Sequence, residues 1–199
     1  MSDLGISEKN NTKAKIIKAA TELFGEKGYN STSIQDICRK AGVSKGGLFY
    51  YFSAKEEILF LIHDEFISYE LERAYKIINE DKSYALILKD LIVDLVESIG
   101  KFKPYVTVFF QERKFFSQES FASIREKRDE YEDIFFEVIK KGIKSNEFKD
   151  NINPRIIVKS IFGMCNWTYQ WYKKSGDLSA EEIGEIYYKI ILNGIKNNL

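Results

Sequence analysis

The chain has 199 residues, 44% hydrophobic and 30% charged, and its 30 Lys/Arg balance 30 Asp/Glu to a formal net charge of zero. That length buries a real core in one or two domains, and the balance excludes a generally basic nucleic-acid coat. Two cysteines make no disulfide framework, and no apolar run approaches the roughly 18 residues of a membrane span, so a cytoplasmic protein with no membrane partner is expected.

Apolar residues at helical spacing dominate and only two prolines occur, so the chain is read as all-α with about nine helices. Residues 1–10 are polar and are expected to be disordered. Thr12 is placed to cap a first helix reaching about Lys27, with Ile16, Ile17, Ala19, Ala20, Leu23 and Phe24 as its buried stripe and Gly28 as its stop. Ser33 caps a second helix, Gly42 supplies the turn, and Ser44 caps a short third helix ending near Tyr51. Ser53 and Glu56 read as a capping box opening a long fourth helix toward Glu80. Five more follow: about Tyr84 to Ile99, Pro104 to Phe116, Gln118 to Lys144, Pro154 (capped by Asn153) to Lys174, and a last one capped by Ser179 and Glu182 and reaching Lys196. The domain boundary is placed near residue 55: an N-terminal helix-turn-helix domain over 1–55 and a C-terminal effector-binding and dimerisation domain over 56–199.

The second and third helices, joined by a tight turn at Ala41-Gly42-Val43, have the outline of a helix-turn-helix, which lays its later helix into the DNA major groove. Charge agrees with this. Residues 1–55 hold nine Lys/Arg against five acids, a net of +4, and the remainder carries −4. A basic head on an acidic body docks one end on phosphates without adhering along its whole surface. Ser44, Lys45, Gly46 and Gly47 begin the reading helix. Lys45 suits guanine O6 and N7, Gln35 suits adenine, and the glycines admit close backbone approach. Thr32, Ser33, Tyr50, Tyr51 and Lys55 carry donors suited to phosphate oxygens. Leu48 and Phe52 read as core.

Residues 12–60, through AATELFGEKGYNSTSIQDICRKAGVSKGGLFYYFSAKEEIL, resemble the DNA-binding domain of the TetR (tetracycline repressor) family of bacterial regulators. The resemblance implies a homodimer on a palindromic double-stranded operator, repression, and release when a small molecule binds the C-terminal domain. One departure stands out: position 49 is Phe where the family often has Tyr, so a phosphate-bonding hydroxyl is missing there. Tyr50 or Tyr51 is left to supply it, and Phe49 to touch a thymine methyl.

In the body, Met164, Trp167 and Trp171 fall on one helical face with Ser160 and Gly163. The stripe suits either the lining of an elongated apolar pocket or packing in a core or dimer interface. A second cluster gathers Tyr105, Phe109, Phe110 and Arg113. Its Arg either snorkels to solvent or meets an anionic group at a pocket mouth, and Arg128 on the next helix has the same choice. The segments FFSQESFASIREKRDEYEDIFFEVIKKGIKSNEF and GMCNWTYQWYKKSGDLSAEEI resemble a TetR subgroup regulating fatty-acid and sterol-side-chain catabolism, which responds to acyl-CoA thioesters. This suggests an acyl chain among Phe110, Met164, Trp167 and Trp171, with CoA phosphates near Arg or Lys.

The leading reading is therefore a ligand-responsive repressor, homodimeric through its last two helices, with no resident cofactor. A repressor sensing hydrophobic drug-like cations and an effector-independent DNA-binding protein stand as alternatives. Catalysis is not expected, because the one histidine, His63, lies alone on an apolar stretch and neither metal-ligand spacing nor a glycine-rich phosphate loop occurs.

Overall fold

The structure, a computed structural model, describes residues 11–111 and 118–197. Among the described residues the chain is all-α, as expected, with one isolated bridge pairing Phe148 with Lys196. Its nine helices are α1 (Asn11–Lys27), α2 (Ile34–Ala41), α3 (Lys45–Tyr51), α4 (Lys55–Ile78), α5 (Tyr84–Lys101), α6 (Lys103–Gln111), α7 (Gln118–Lys144), α8 (Pro154–Trp171) and α9 (Ala180–Ile195).

Most ends fall where the capping chemistry places them. Gly28 and Gly42 sit at positive φ after α1 and α2. Ser33, Ser44, Asn153 and Ser179 accept backbone N–H groups at the starts of α2, α3, α8 and α9. Three ends differ. Thr12 lies inside α1 rather than before it, because the helix already starts at Asn11. At the start of α4 the Ser53 amide and hydroxyl both donate to Glu57, not Glu56, at 2.6 and 2.8 Å, because the helix begins one residue later than a cap at Ser53 requires. Helix α8 stops at Trp171 instead of Lys174. Tyr172 there is buried, its N–H closes on Thr168, and its carbonyl accepts from Lys103 Nζ at 2.6 Å.

The chain divides into two compact units, Met1–Tyr69 with Pro104–Glu126, and Glu70–Lys103 with Lys127–Leu199. The unit carrying the helix-turn-helix thus takes in the first part of α4 and nearly all of α6, where the sequence suggested a head over 1–55. Its core is Ile16, Ile17, Ala20 and Phe24 from α1, Ile37 and Cys38 from α2, Leu48 from α3, Phe52, and Ile58, Leu59 and Ile62 from α4, with Val108 from α6. Helix α3 has only seven residues and two glycines, so its own propensity cannot hold it. Leu48, fully buried, pins it to the core. In the second unit, α5 lies against α9 and α8, with Leu88, Leu91, Ile92, Val96, Ile161 and Ile183 buried between them.

One side chain ties the start of α4 to the loop between α1 and α2. Lys55 Nζ donates to the carbonyls of Tyr29 and Thr32 at 2.7 and 2.8 Å and lies 4.0 Å from the Tyr29 ring centroid. A cation at a helix N-terminus opposes the macrodipole. Here the ammonium leans away from the helix onto carbonyl oxygens, while Glu56 and Glu57 occupy the first turn. Lys55→Met keeps most of the apolar stem and removes both donors, so it should cost about 2 kcal/mol of stability in urea denaturation. An unchanged midpoint would show that the ammonium does not hold this loop.

Candidate functional site

The helix-turn-helix is built by a few local contacts. The Ser33 hydroxyl accepts from the Asp36 amide at 3.1 Å and donates to the Asp36 carboxylate at 2.8 Å, while the Ser33 amide donates to the same carboxylate at 3.0 Å. Gly42, at φ 68°, turns the chain, and its N–H and that of Val43 return to the Arg39 and Cys38 carbonyls. Ser44 Oγ accepts from Gly47 N at 3.0 Å and starts α3. With Leu48 facing inward, Ser44, Lys45, Gly46, Phe49 and Tyr50 are left exposed, and Gly47 and Tyr51 are half-buried. Gln35 is exposed on α2. Tyr50 is 83% exposed and meets the Tyr51 ring edge-on, and the Lys45 ammonium lies 5.8 Å from the Phe49 ring. This one face therefore gathers Lys45, Phe49 and Tyr50 beside an open Gly46.

Three residues expected to face phosphates are already engaged. Thr32 is 1% exposed, and its hydroxyl donates to the Gly28 carbonyl at 2.8 Å, so it closes the loop from inside. The Ser33 hydroxyl is held in the Asp36 box. Lys55 spends two of its donors on the loop carbonyls. The basic excess of the head is also partly neutralised internally. Lys27 pairs with Asp36 at 2.9 Å, and Lys40 with Glu22 and Glu26, both at 3.1 Å. The Lys27 ammonium, then the Ser33 amide and hydroxyl, hold the Asp36 carboxyl well below the usual carboxylate range. Local charge on α3 thus rests on Lys45 alone, since Lys45–Tyr51 carries no other charged residue.

The residues read as effector contacts are divided between the two units. Tyr105 and Phe109 pack inside the first unit. Tyr105 lies against the head core, its phenol raised by burial and by Glu65. Phe109 stacks on His63 at 5.0 Å and meets the Phe66 and Phe110 rings edge-on. His63, 2% exposed, sets Nδ1 and Nε2 at 3.0 and 3.1 Å from the Leu59 and Phe109 carbonyls, which ties α6 to α4 within this unit. Arg113 lies outside the described residues. Arg128 and Met164 are half-buried in the second unit. Trp167 and Trp171 face outward, 64% and 47% exposed, and so line no enclosed pocket within one chain. Ile156, Ser160 and Gly163 share that outer face of α8, and Ile186 and Ile190 are exposed on α9.

A polar cluster inside the second unit was not anticipated from the sequence. Glu70 of α4 is 1% exposed, and its Oε2 accepts from the Tyr131 hydroxyl of α7 at 3.1 Å. Its Oε1 is buried without any partner. Arg73 of α4 pairs with the buried Asp94 of α5 beside it. Burial first, then the Asp94 charge, push the Glu70 carboxyl up to about 8, against the opposing pull of Ser98, Tyr131 and Arg73. Tyr131, Phe135 and Phe162 meet edge-on around this point at centroid distances of 4.9 to 5.6 Å. A signal for Glu70 was present: it occupies the apolar register Ile62–Phe66–Glu70–Ala74, where a solvated acid has no place.

Residues 16–62 match the family described as "Bacterial regulatory proteins, tetR family", and residues 81–195 match "Tetracyclin repressor-like, C-terminal domain". The chain is 24% identical over 187 residues to the HTH-type transcriptional repressor KstR2 of Mycobacterium tuberculosis, covering 94% of each. The structure of that ketosteroid transcriptional regulator superposes with a TM-score of 0.87 over 94% of this chain and 95% of that one. The Fatty acid metabolism regulator protein of Bacillus subtilis is 26% identical over 188 residues, covering 92% of this chain and 95% of its own. AibR, solved in complex with isovaleryl coenzyme A and operator DNA, shares the fold at 22% identity with a TM-score of 0.81, over 90% of this chain and 97% of that one. The head and the body each match, and the chain belongs to the tetR family of bacterial transcriptional regulators.

Proposed function

We propose that this chain is a ligand-responsive repressor that binds a palindromic operator as a homodimer and leaves it when an acyl-CoA thioester binds its second unit. The observation that carries the DNA-reading part is the outer face of α3. Gly46 lies on it, and a Cβ built there meets nothing of this chain within 4 Å. The fold does not require glycine at that position, whereas close approach of a DNA backbone or base edge does. Lys45, Phe49 and Tyr50 surround it with one cation, one apolar ring and one hydroxyl. Lys45 takes the guanine contact, Phe49 a thymine methyl, and Tyr50 a phosphate oxygen. Gln35 serves a second base from α2.

Homodimerisation is supported by the exposed apolar stripe of α8 and α9. Two tryptophans and three isoleucines in solvent form an unfavourable surface for a monomer, while two such helix pairs packed about a twofold axis make a four-helix bundle. The acyl-CoA assignment draws on the relatives: a repressor of the ketosteroid class, a regulator of fatty-acid metabolism, and a structure holding an acyl-CoA together with its operator. Ligand acts by population shift, favouring a state of the dimer whose two reading helices no longer fit both half-sites. A binding role rather than catalysis agrees with relatives that are regulators.

Three outcomes check this. Gly46→Ala should raise helix stability by up to about 1 kcal/mol yet weaken operator binding in a gel-shift titration; full affinity would show that α3 does not approach DNA at that point. Trp167→Glu should convert a dimer into a monomer in light scattering, and a monomeric wild-type protein would remove the stripe from this role. A series of acyl-CoA thioesters from short to long chains should contain members that release the protein from operator duplex. If every member leaves the complex intact, the effector belongs to another class.

A further inference from the structure

The geometry points to Glu70 as an internal hydrogen-bond donor that recognises a carbonyl oxygen on an otherwise apolar ligand held among α4, α5, α7 and α8 of the second unit. The proposal rests on the ligand-responsive reading only in supposing that a small molecule enters this unit.

The chemistry follows from the carboxyl group's surroundings. Held up to about 8, Glu70 is a neutral carboxylic acid at neutral pH. Tyr131 donates to Oε2, which makes that atom the carbonyl oxygen of the acid and places the acid proton on Oε1. Oε1 has no acceptor, although it is buried. A buried orphan donor is costly, and a native interior rarely tolerates one without a reason. Among the described residues of this unit it is the one buried side-chain polar atom lacking a partner. A ligand group that completes it must accept a hydrogen bond.

The same surroundings narrow the acceptor. An anion would require a cation beside it, and the neighbouring Arg73 guanidinium is paired with Asp94. A ligand cation would favour an ionised carboxylate, which burial here opposes. A ligand hydroxyl would accept as well but must also place its own hydrogen. A carbonyl oxygen brings an acceptor and nothing else. The flanking Tyr131, Phe135 and Phe162 rings, the buried Ile161, and the buried Cys165 thiol, pushed up by burial alone, offer apolar surface on either side. The ligand is therefore apolar around its carbonyl.

The test uses the full chain and two probes of equal length, 5-decanone and decane, with binding followed by titration calorimetry. In the wild-type protein the ketone should bind at least about tenfold more tightly than the hydrocarbon, the discrimination expected when a buried donor gains or misses its partner. Glu70→Leu should abolish that preference. Glu70→Gln keeps an N–H at the same place and should restore part of it, and the same variant guards against misfolding of the leucine protein. In the wild-type complex the infrared carbonyl stretch of the ketone should move to lower frequency, and in Glu70→Leu it should not. No ketone binding to the wild type, equal affinity for the two probes, or a preference that survives Glu70→Leu would overturn the assignment. Neither probe carries coenzyme A and neither readout involves DNA, so this result is independent of whether acyl-CoA thioesters release the operator.

Discussion

The head of this protein depends on two backbone carbonyls being held by one ammonium group. Helix α3 is short, carries two glycines, and has one fully buried side chain, Leu48. Such an element takes its position from its neighbours. Lys55 fastens the start of α4 to the Tyr29 and Thr32 carbonyls, and the buried Thr32 hydroxyl closes the same loop onto Gly28. The loop between α1 and α2 is thus fixed from two sides, and Ser33 leaves it directly into the cap of α2. Polar groups that resemble phosphate ligands when read along the chain also hold the frame. The outer face of α3 can then be small, open and sparsely charged.

The second unit shows the opposite economy. Its core contains two acids, Glu70 and Asp94, that a purely stabilising core would replace with apolar residues. Asp94 is paired with Arg73, but Glu70 retains an oxygen without a partner. Stability surrendered at one buried position is typical of places where a protein meets a ligand. The outward tryptophans pose a similar cost at the surface, which the proposed second copy would relieve by covering them.

Much of the fold was legible because caps are local chemistry. Ser33, Ser44, Asn153 and Ser179, each followed by an apolar helical pattern, marked four starts, and Gly28 and Gly42 marked two stops. The third helix was placed correctly despite its poor propensity, because Ser44 and Leu48 outweigh two glycines. A residue's partner in three dimensions is less legible. Ser53 selected Glu57 over Glu56, and nothing in the spacing separates those options within one turn. Thr32 and Lys55 have donors that suit phosphate and carbonyl oxygens equally, and only the folded loop shows the carbonyls they meet. The Trp167/Trp171 stripe was recognised as one helix face, but periodicity alone cannot say whether a face looks inward or outward. Glu70 is legible as an acid in an apolar register, but the sequence does not show what surrounds it.

The account holds that two chains grip one operator together and that a ligand ends this grip. Native mass spectrometry of the protein mixed with a palindromic duplex from its own upstream region tests this directly. The expected spectrum shows protein chains on the duplex in pairs, with a long-chain acyl-CoA bound only to protein that has left the DNA. A single chain per duplex, or acyl-CoA and full-strength DNA held in the same complex, would contradict it.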